Sequence, residues 1–435
     1  MKRRAVPEAV LEHLREIGDP KLEPAPQKRG AARHRRPNHA TAQRYFEVVA
    51  EKGLDAALDS WADREVVRDA VRDDTAEAVK ALEDYGVKPA VVIPRARALF
   101  TKYGDEICAS LLLAGLPDAY ACEWGARVLI AHGDLVWALP RRVRQTAMFL
   151  MTVFAENDLV GGKSDPGSTA RIEKTCAGLR LFHHMVRTQL KSKGDPRDLL
   201  GDENTTPINQ EDLLGTLLTF TVTTFGVLDQ LGVQWSDDDL EAYLLFWDLA
   251  GAALGVGTKT VFDKLRRSPA IRASVPDPLR PRRVDHATQL LDQLHDRQWL
   301  PVQDTIKSGR PFPWSGLAPG RMLGDALLDA LTDAMPAARR TWPGVVMREL
   351  APTIVQSRLG LEGAGLSSYA TRWVAERSRY AQTARAATLR MMANDITRHA
   401  MESFLRADGP PFKIPGLDLR EITASATTPP ILELK

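Results

Sequence analysis

Apolar residues return every three or four positions along most of this chain, the period of a helix with one buried face. In residues 1–20, Val10, Leu11, Leu14 and Ile17 share a face, and the spacing predicts one short amphipathic helix. From Ala40 to about Val256 the pattern is dense and helical. Pro140 breaks or starts a helix that continues over 141–154. Ser236 reads as an N-cap, with Asp237, Asp238 and Asp239 in the first turn, where carboxylates favour the helix dipole. That helix runs through Leu240, Tyr243, Leu244, Trp247 and Leu254, with Gly251 and Gly255 near its end. Strand signals are few. The sharpest, TFTVTTF (219–225), sits inside the longer apolar run DLLGTLLTFTVTTFGVLDQLG, which is long enough for a helix and is predicted as one.

Proline and charge divide the rest. Residues 21–40 are rich in Pro, Arg and Gly, and Lys28, Arg29, Arg33, Arg35 and Arg36 form a basic run. No aromatic residue is interleaved for base stacking, so the run reads as a solvated connector. Residues 157–168 have loop composition, and prolines over 275–345 predict irregular connections between short helices. A long helix is expected over 369–406, then an extended proline-containing tail. The expected fold is all-α, one large helical domain. Its parts are a helix and basic linker (1–40), a helical core (41–275), a C-terminal helical region packed on it (276–408) and the tail (409–435).

Composition narrows the classes. The 435 residues are 44% hydrophobic and 26% charged, ordinary values for a globular protein with a sizeable core. Lys and Arg number 58 against 56 Asp and Glu, a net charge of +2 that argues against a nucleic-acid partner. The three cysteines, Cys108, Cys122 and Cys176, are widely spaced and suggest neither disulfides nor a structural zinc site. Arg3 and Arg4 are not followed by an apolar segment, and no window reads as a membrane span, so a cytoplasmic location is expected. DLVGGKS (158–164) resembles a phosphate loop, but Asn157 stands where that motif needs Gly.

Three places offer chemistry. In TARIEKTCAGLRLFHHMVRTQL (169–190), the residues Ile172, Cys176, Leu179, His183, Val186 and Leu190 fall on one apolar face. His183 is in its middle. His184 is rotated by about 100° onto the face of Arg180, Arg187 and Lys191, expected to meet solvent. A core-facing imidazole must satisfy its ring nitrogens, through a carbonyl or through a metal. On the upstream helix, Arg142, Thr146, Phe149 and Val153 share a face with Gln145 at its edge. Such an Arg–Thr pair either lines a buried polar site or belongs to an ordinary solvated helix start. Glu123 lies in an apolar stretch, where a carboxyl gains the raised pKa that acid–base work needs, or is simply a turn residue beside Gly125.

Taken together, several segments resemble one oxygenase family, that of the latex clearing protein (rubber oxygenase) and the oxygenase of the mycophenolic acid pathway. REIGDP (15–20) resembles its Arg–Gly-Asp-Pro signature, and LPDAYACEWGARVL (116–129) its Leu-Pro-x-x-Tyr-Ala stretch. RRVRQT (141–146) is similar to its distal Arg/Thr segment, and RLFHHMVR (180–187) to its Arg-Leu-x-His-x-x-Val-Arg helix. PINQEDLLGTLLTF (207–220) and LGVQWSDDDLEAYLLFWDLAGAALGV (231–256) resemble the segments that follow.

The resemblance implies a globin-like core holding heme b, with His183 as the iron's protein ligand. Arg142 and Thr146 would stand on the opposite side of the heme. The family's rubber oxygenases carry lysine before that Thr. Here the residue is Gln145, a weaker ligand. The family's catalytic Glu lies upstream of Arg142, where Glu123 is the nearest candidate. The implied activity is a heme-dependent oxygenase using O2 against a C=C bond of a lipophilic, isoprenoid-like substrate. Without an export signal, a small terpenoid or other lipophilic metabolite is expected in place of solid rubber. The other reading is a non-catalytic helical heme-binding or interaction protein in which His183 is structural.

Overall fold

The predicted periodicity resolves into helices in the computed structural model, which describes residues 6–23, 39–132, 139–155, 165, 167–193, 205–298, 319–361 and 379–406. Among the described residues the fold is all-α, and no strand occurs. The first elements are α1 (Glu8–Arg15), α2 (His39–Asp59), α3 (Arg64–Asp84) and α4 (Pro89–Ser110), then a π-helical turn, Leu111–Gly115. They lead to α5 (Leu116–Ala121), α6 (Glu123–His132), α7 (Leu139–Phe154) and α8 (Ala170–Lys193). Next comes α9 (Gln210–Leu218), which passes through a second π-helical turn, Thr219–Thr223, into α10 (Thr224–Gln230). α11 (Asp237–Ala253), α12 (Lys259–Arg266) and α13 (Val284–Arg297) follow, then α14 (Pro319–Ala334), α15 (Trp342–Leu350), α16 (Thr353–Leu359) and α17 (Arg379–Arg406).

α11 is the centre. Ser236 caps it: the side chain accepts from the Asp239 N–H while the Asp239 carboxylate accepts from the Ser236 N–H, a reciprocal cap. Every residue from Ala242 to Ala253 is buried, as befits a helix apolar on all sides. It packs against α3, α4 and α8. Phe154 of α7 stacks on Phe246 of α11 at 4.4 Å and on Phe100 of α4 at 4.5 Å, which fixes α7 against the same core. One continuous apolar core includes residues from Val6 to Phe404.

TFTVTTF is helical, as expected, but its first part is wound as a π turn. Thr219 and Thr221 donate their hydroxyls to the carbonyls of Thr216 and Leu217, so the widened turn satisfies carbonyls with side chains. Gln210–Gln230 is long and apolar enough to cross a membrane, although the sequence reading found no such window. Of that window 67% is buried inside the protein, as in a core helix. The basic run, most of the 157–168 loop, 369–378 and the tail lie outside the described residues.

Candidate active site

α8 carries the candidate ligand. Ile172, Cys176, Val186 and Leu190 are buried along the predicted face, and His183 lies among them, half-buried. Its Nδ1 is buried without a hydrogen-bond partner. Burial, together with the nearby charges of Arg187 and Arg142, holds the His183 imidazole down to about 3. The ring is therefore neutral at physiological pH, with a lone pair available.

The opposite face of α8 corrects the sequence reading. His184 was expected to meet solvent, but only 8% of it is exposed. The helical phase was right; the face is covered by chain. Residues 15–23 lie over it. Asp19 accepts from Arg180 Nε at 2.6 Å and from Nη2 at 3.0 Å, and Arg180 Nη2 also pairs with Asp74 at 2.9 Å. The Arg180 guanidinium beside Asp19 holds its carboxyl down to about 2, against the opposing effect of burial. Gln210 Nε2 donates to the carbonyls of Gly18 and Gly255, and its Oε1 accepts from Gly257 N. Gly255 has a φ of 81°, and a Cβ there would lie 2.9 Å from the Arg180 guanidinium, so glycine is required twice over. His184 thus faces Asp19 and Glu23, and burial lowers it to about 4.

α7 supplies the facing wall. Arg142 lies over the Phe182 ring, its guanidinium carbon 5.0 Å from the ring centre. It donates to Gln145 Oε1 at 3.4 Å, and Thr146 donates its hydroxyl to the Arg142 carbonyl at 3.1 Å. Burial raises the Tyr120 phenol while Arg142 draws it back, which places α5 beside the same guanidinium. Arg142, Gln145 and Thr146 therefore gather on the α7 wall packed against the His183 helix.

Glu123 stands at the start of α6. Its carboxylate accepts from Arg127 Nε at 3.1 Å; burial raises it, and Arg127 and Arg358 oppose the rise. Trp124 lies between the guanidinium carbons of Arg15 and Arg127, at 4.1 and 4.8 Å. This polar cluster adjoins one that sequence reasoning missed. Asp118 is fully buried and accepts from Thr223 Oγ1 at 2.5 Å while its other oxygen meets His295 Nε2. Thr223 closes the second π turn and Asp118 lies just after the first, so the carboxylate ties the two together. The motif stretch around Tyr120 contained Asp118, but nothing in sequence linked it to His295. Thr146 also lines an apolar cavity of about 60 Å³, whose walls come from α4, α5, α7, α9, both π turns and α17. No group of acidic, Cys and His side chains able to hold a bare metal ion occurs among the described residues.

The all-α scaffold thus sets a half-buried imidazole against an Arg–Thr wall, and Thr146 of that wall also lines the apolar cavity. Residues 109–389 match the family described as ER-bound oxygenase mpaB/B'/Rubber oxygenase, catalytic domain. The chain belongs to that family, and it carries an oxygenase catalytic domain. Among solved structures it is similar to one described as the structure of latex clearing protein LCP in the closed state. The two are 17% identical, over 90% of this chain and 85% of that chain, with a TM-score of 0.42. No curated protein matches the chain.

Proposed function

We propose that this oxygenase is heme b-dependent, held through His183, and uses O2 to attack a C=C bond of a lipophilic, isoprenoid-like substrate. The observation that carries the reading is the buried His183 Nδ1, left without a partner on the side of α8 toward Arg142, whereas His184 Nδ1, also unpartnered, lies under residues 15–23. An unsatisfied buried nitrogen costs about 1–3 kcal/mol, which a bound group at this imidazole would offset. The donor set fits a heme: one neutral imidazole, a cation across from it and apolar walls. It does not fit a bare cation, which wants several anionic or imidazole donors.

Bound there, heme iron supplies the redox chemistry that activates dioxygen. The chain supplies position and polarity. Arg142 orients the oxygen, while Thr146, its proton held by the Arg142 carbonyl, positions the double bond through its methyl group. Gln145 would leave room for dioxygen at the group, because an amide nitrogen is a poor donor. Glu123, raised by burial, accepts an allylic proton at its carboxylate. The cavity beside Thr146 lodges part of the hydrocarbon.

The test is an absorption spectrum of purified protein before and after heme reconstitution, with oxygen uptake in the presence of isoprenoid alkenes. A Soret band and alkene-dependent uptake are expected. No Soret band removes the heme reading. A band without uptake for any alkene leaves a heme-binding protein that is not this oxygenase.

A further inference from the structure

The cavity beside Thr146 has a chemistry of its own. Four threonines contribute to its lining: Thr146, Thr216, Thr219 and Thr397. Each donates its hydroxyl proton back into its own helix. Thr146 donates to Arg142 O at 3.1 Å, Thr216 to Asp212 O at 2.8 Å, Thr219 to Thr216 O at 2.8 Å and Thr397 to Ala393 O at 2.9 Å. A threonine so engaged offers a methyl group and no donor. The Cys108 thiol in the same wall is pushed up to about 12 by burial and remains a neutral, weak donor. Ala119, Ala147, Phe220 and Met401 complete the apolar surface.

Size sets the second limit. The cavity volume is about 60 Å³. A single water needs only ~10–15 Å³, while a site that takes benzene measures ~150 Å³. The space therefore suits a group of three or four carbons and excludes a six-membered ring.

We infer that this cavity is a specificity pocket for one end of the substrate, taking a compact apolar terminus of gem-dimethyl size and rejecting ring-ended ones. The inference rests on the proposed oxygenase reading for what the rest of the substrate does, and on the threonine pattern and the volume for the end group. The small side chains Ala119 and Ala147 hold the space open. Leu150 bounds it from α7.

The experiment measures binding of two alkenes to the purified full-length protein by sealed-cell calorimetry: 2-methyl-2-pentene, and propylidenecyclohexane, which differs only in carrying a ring for the two methyls. Apolar transfer alone favours the larger molecule. The pocket predicts the reverse, with the ring-ended alkene bound about tenfold more weakly, the loss expected when roughly two methylene groups stay unburied. Ala147→Leu fills the space and weakens 2-methyl-2-pentene about tenfold on the same grounds. Leu150→Ala enlarges it and brings the ring-ended alkene to parity. Should Ala147→Leu lose its helical circular dichroism, Ala119→Val carries the same expectation. Equal or tighter binding of the ring-ended alkene by the unmodified protein overturns the inference. So does an unchanged affinity in a folded filling variant. Oxygen uptake with both alkenes separates this from the wider reading. Uptake without end-group preference sinks the pocket and leaves the oxygenase. The binding preference without any uptake supports the pocket and sinks the oxygenase substrate.

Discussion

Two adjacent histidines point to different sides of α8 and meet different segments of the chain. His183 faces Arg142 across the α7–α8 contact, and His184 faces Asp19 and Glu23 under the N-terminal segment. Their substitutions should separate accordingly. His183→Ala loses heme after reconstitution, read as loss of the Soret band. His184→Ala keeps the band but lowers stability by about 1–3 kcal/mol in denaturant unfolding, the ordinary cost of truncating a buried side chain. Equal heme loss in both variants overturns the assignment of the ligand. Gln145 gives a second residue-scale expectation. A lysine amine keeps its nitrogen lone pair, whereas an amide delocalises it. Gln145→Lys should therefore occupy the open place and slow carbon monoxide association with the reduced protein. An unchanged association rate means that position 145 does not reach the iron.

At the scale of elements, α8 is held from both sides. Its apolar face meets the core, and Arg180 on its polar face is clamped between Asp19 and Asp74. Removing one partner leaves a buried charge uncompensated, so Asp19→Ala should cost about 3–5 kcal/mol in unfolding free energy. The pH dependence of this contact has a definite sign. Asp19 is lowered from 3.8 to about 2 on folding, so its contribution is complete above pH 3.8 and is lost as the pH falls toward 2. A loss below about 1 kcal/mol for Asp19→Ala would place this pair with weak surface ion pairs. The elements also show what could be read from sequence. The phase of α8, the cap of α11 and the helical state of TFTVTTF follow from local chemistry, because each depends on neighbours within a turn or two. The covering of His184 does not. A helical wheel gives the direction of a side chain and says nothing of which distant segment lies there. The π winding is equally hidden, since threonine's β-branching signals strand and its hydroxyl bonding to carbonyls acts only once a helix exists. Asp118 and His295 are 177 residues apart, and only the packing of α13 beneath the second π turn joins them. The likeness of short segments to a family marked Arg142, Thr146 and His183, and the structure sets their helices against each other. The 60 Å³ cavity could not be read, because its walls come from seven separate elements.

The whole molecule is closed by a buried charge cluster that joins its beginning to its second half. Arg297 at the end of α13 donates through Nε to both carboxylate oxygens of Glu211 on α9, at 3.1 Å, and through Nη1 to Glu8 on α1. Glu12 of α1 lies 3.9 Å from Arg297 Nη1, Gln298 Nε2 donates to Glu211 Oε1 at 3.2 Å, and Arg15 and Asp212 add their charges. Burial outweighs these cations and raises the Glu211 carboxyl from 4.5 to about 7. The folded protein therefore holds this proton more tightly than the unfolded chain. Folding takes up a proton between pH 4.5 and 7, and the Glu211 contribution to stability falls as the pH rises across that window, levelling off above it. The slope from one such group is at most ~1.4 kcal/mol per pH unit. Asp105, raised to about 6 by burial and by Glu106, titrates in the same range, so the group must be isolated by difference. Glu211→Gln removes the ionisation and keeps an acceptor for Arg297. Thermal midpoints measured from pH 5 to 8 should fall more steeply with rising pH in the unmodified protein than in Glu211→Gln, with the two curves parallel above pH 7. Parallel curves throughout would mean that Glu211 is already ionised at pH 5, and that Arg297 and Arg15 outweigh its burial in the closure of α1 against α9 and α13.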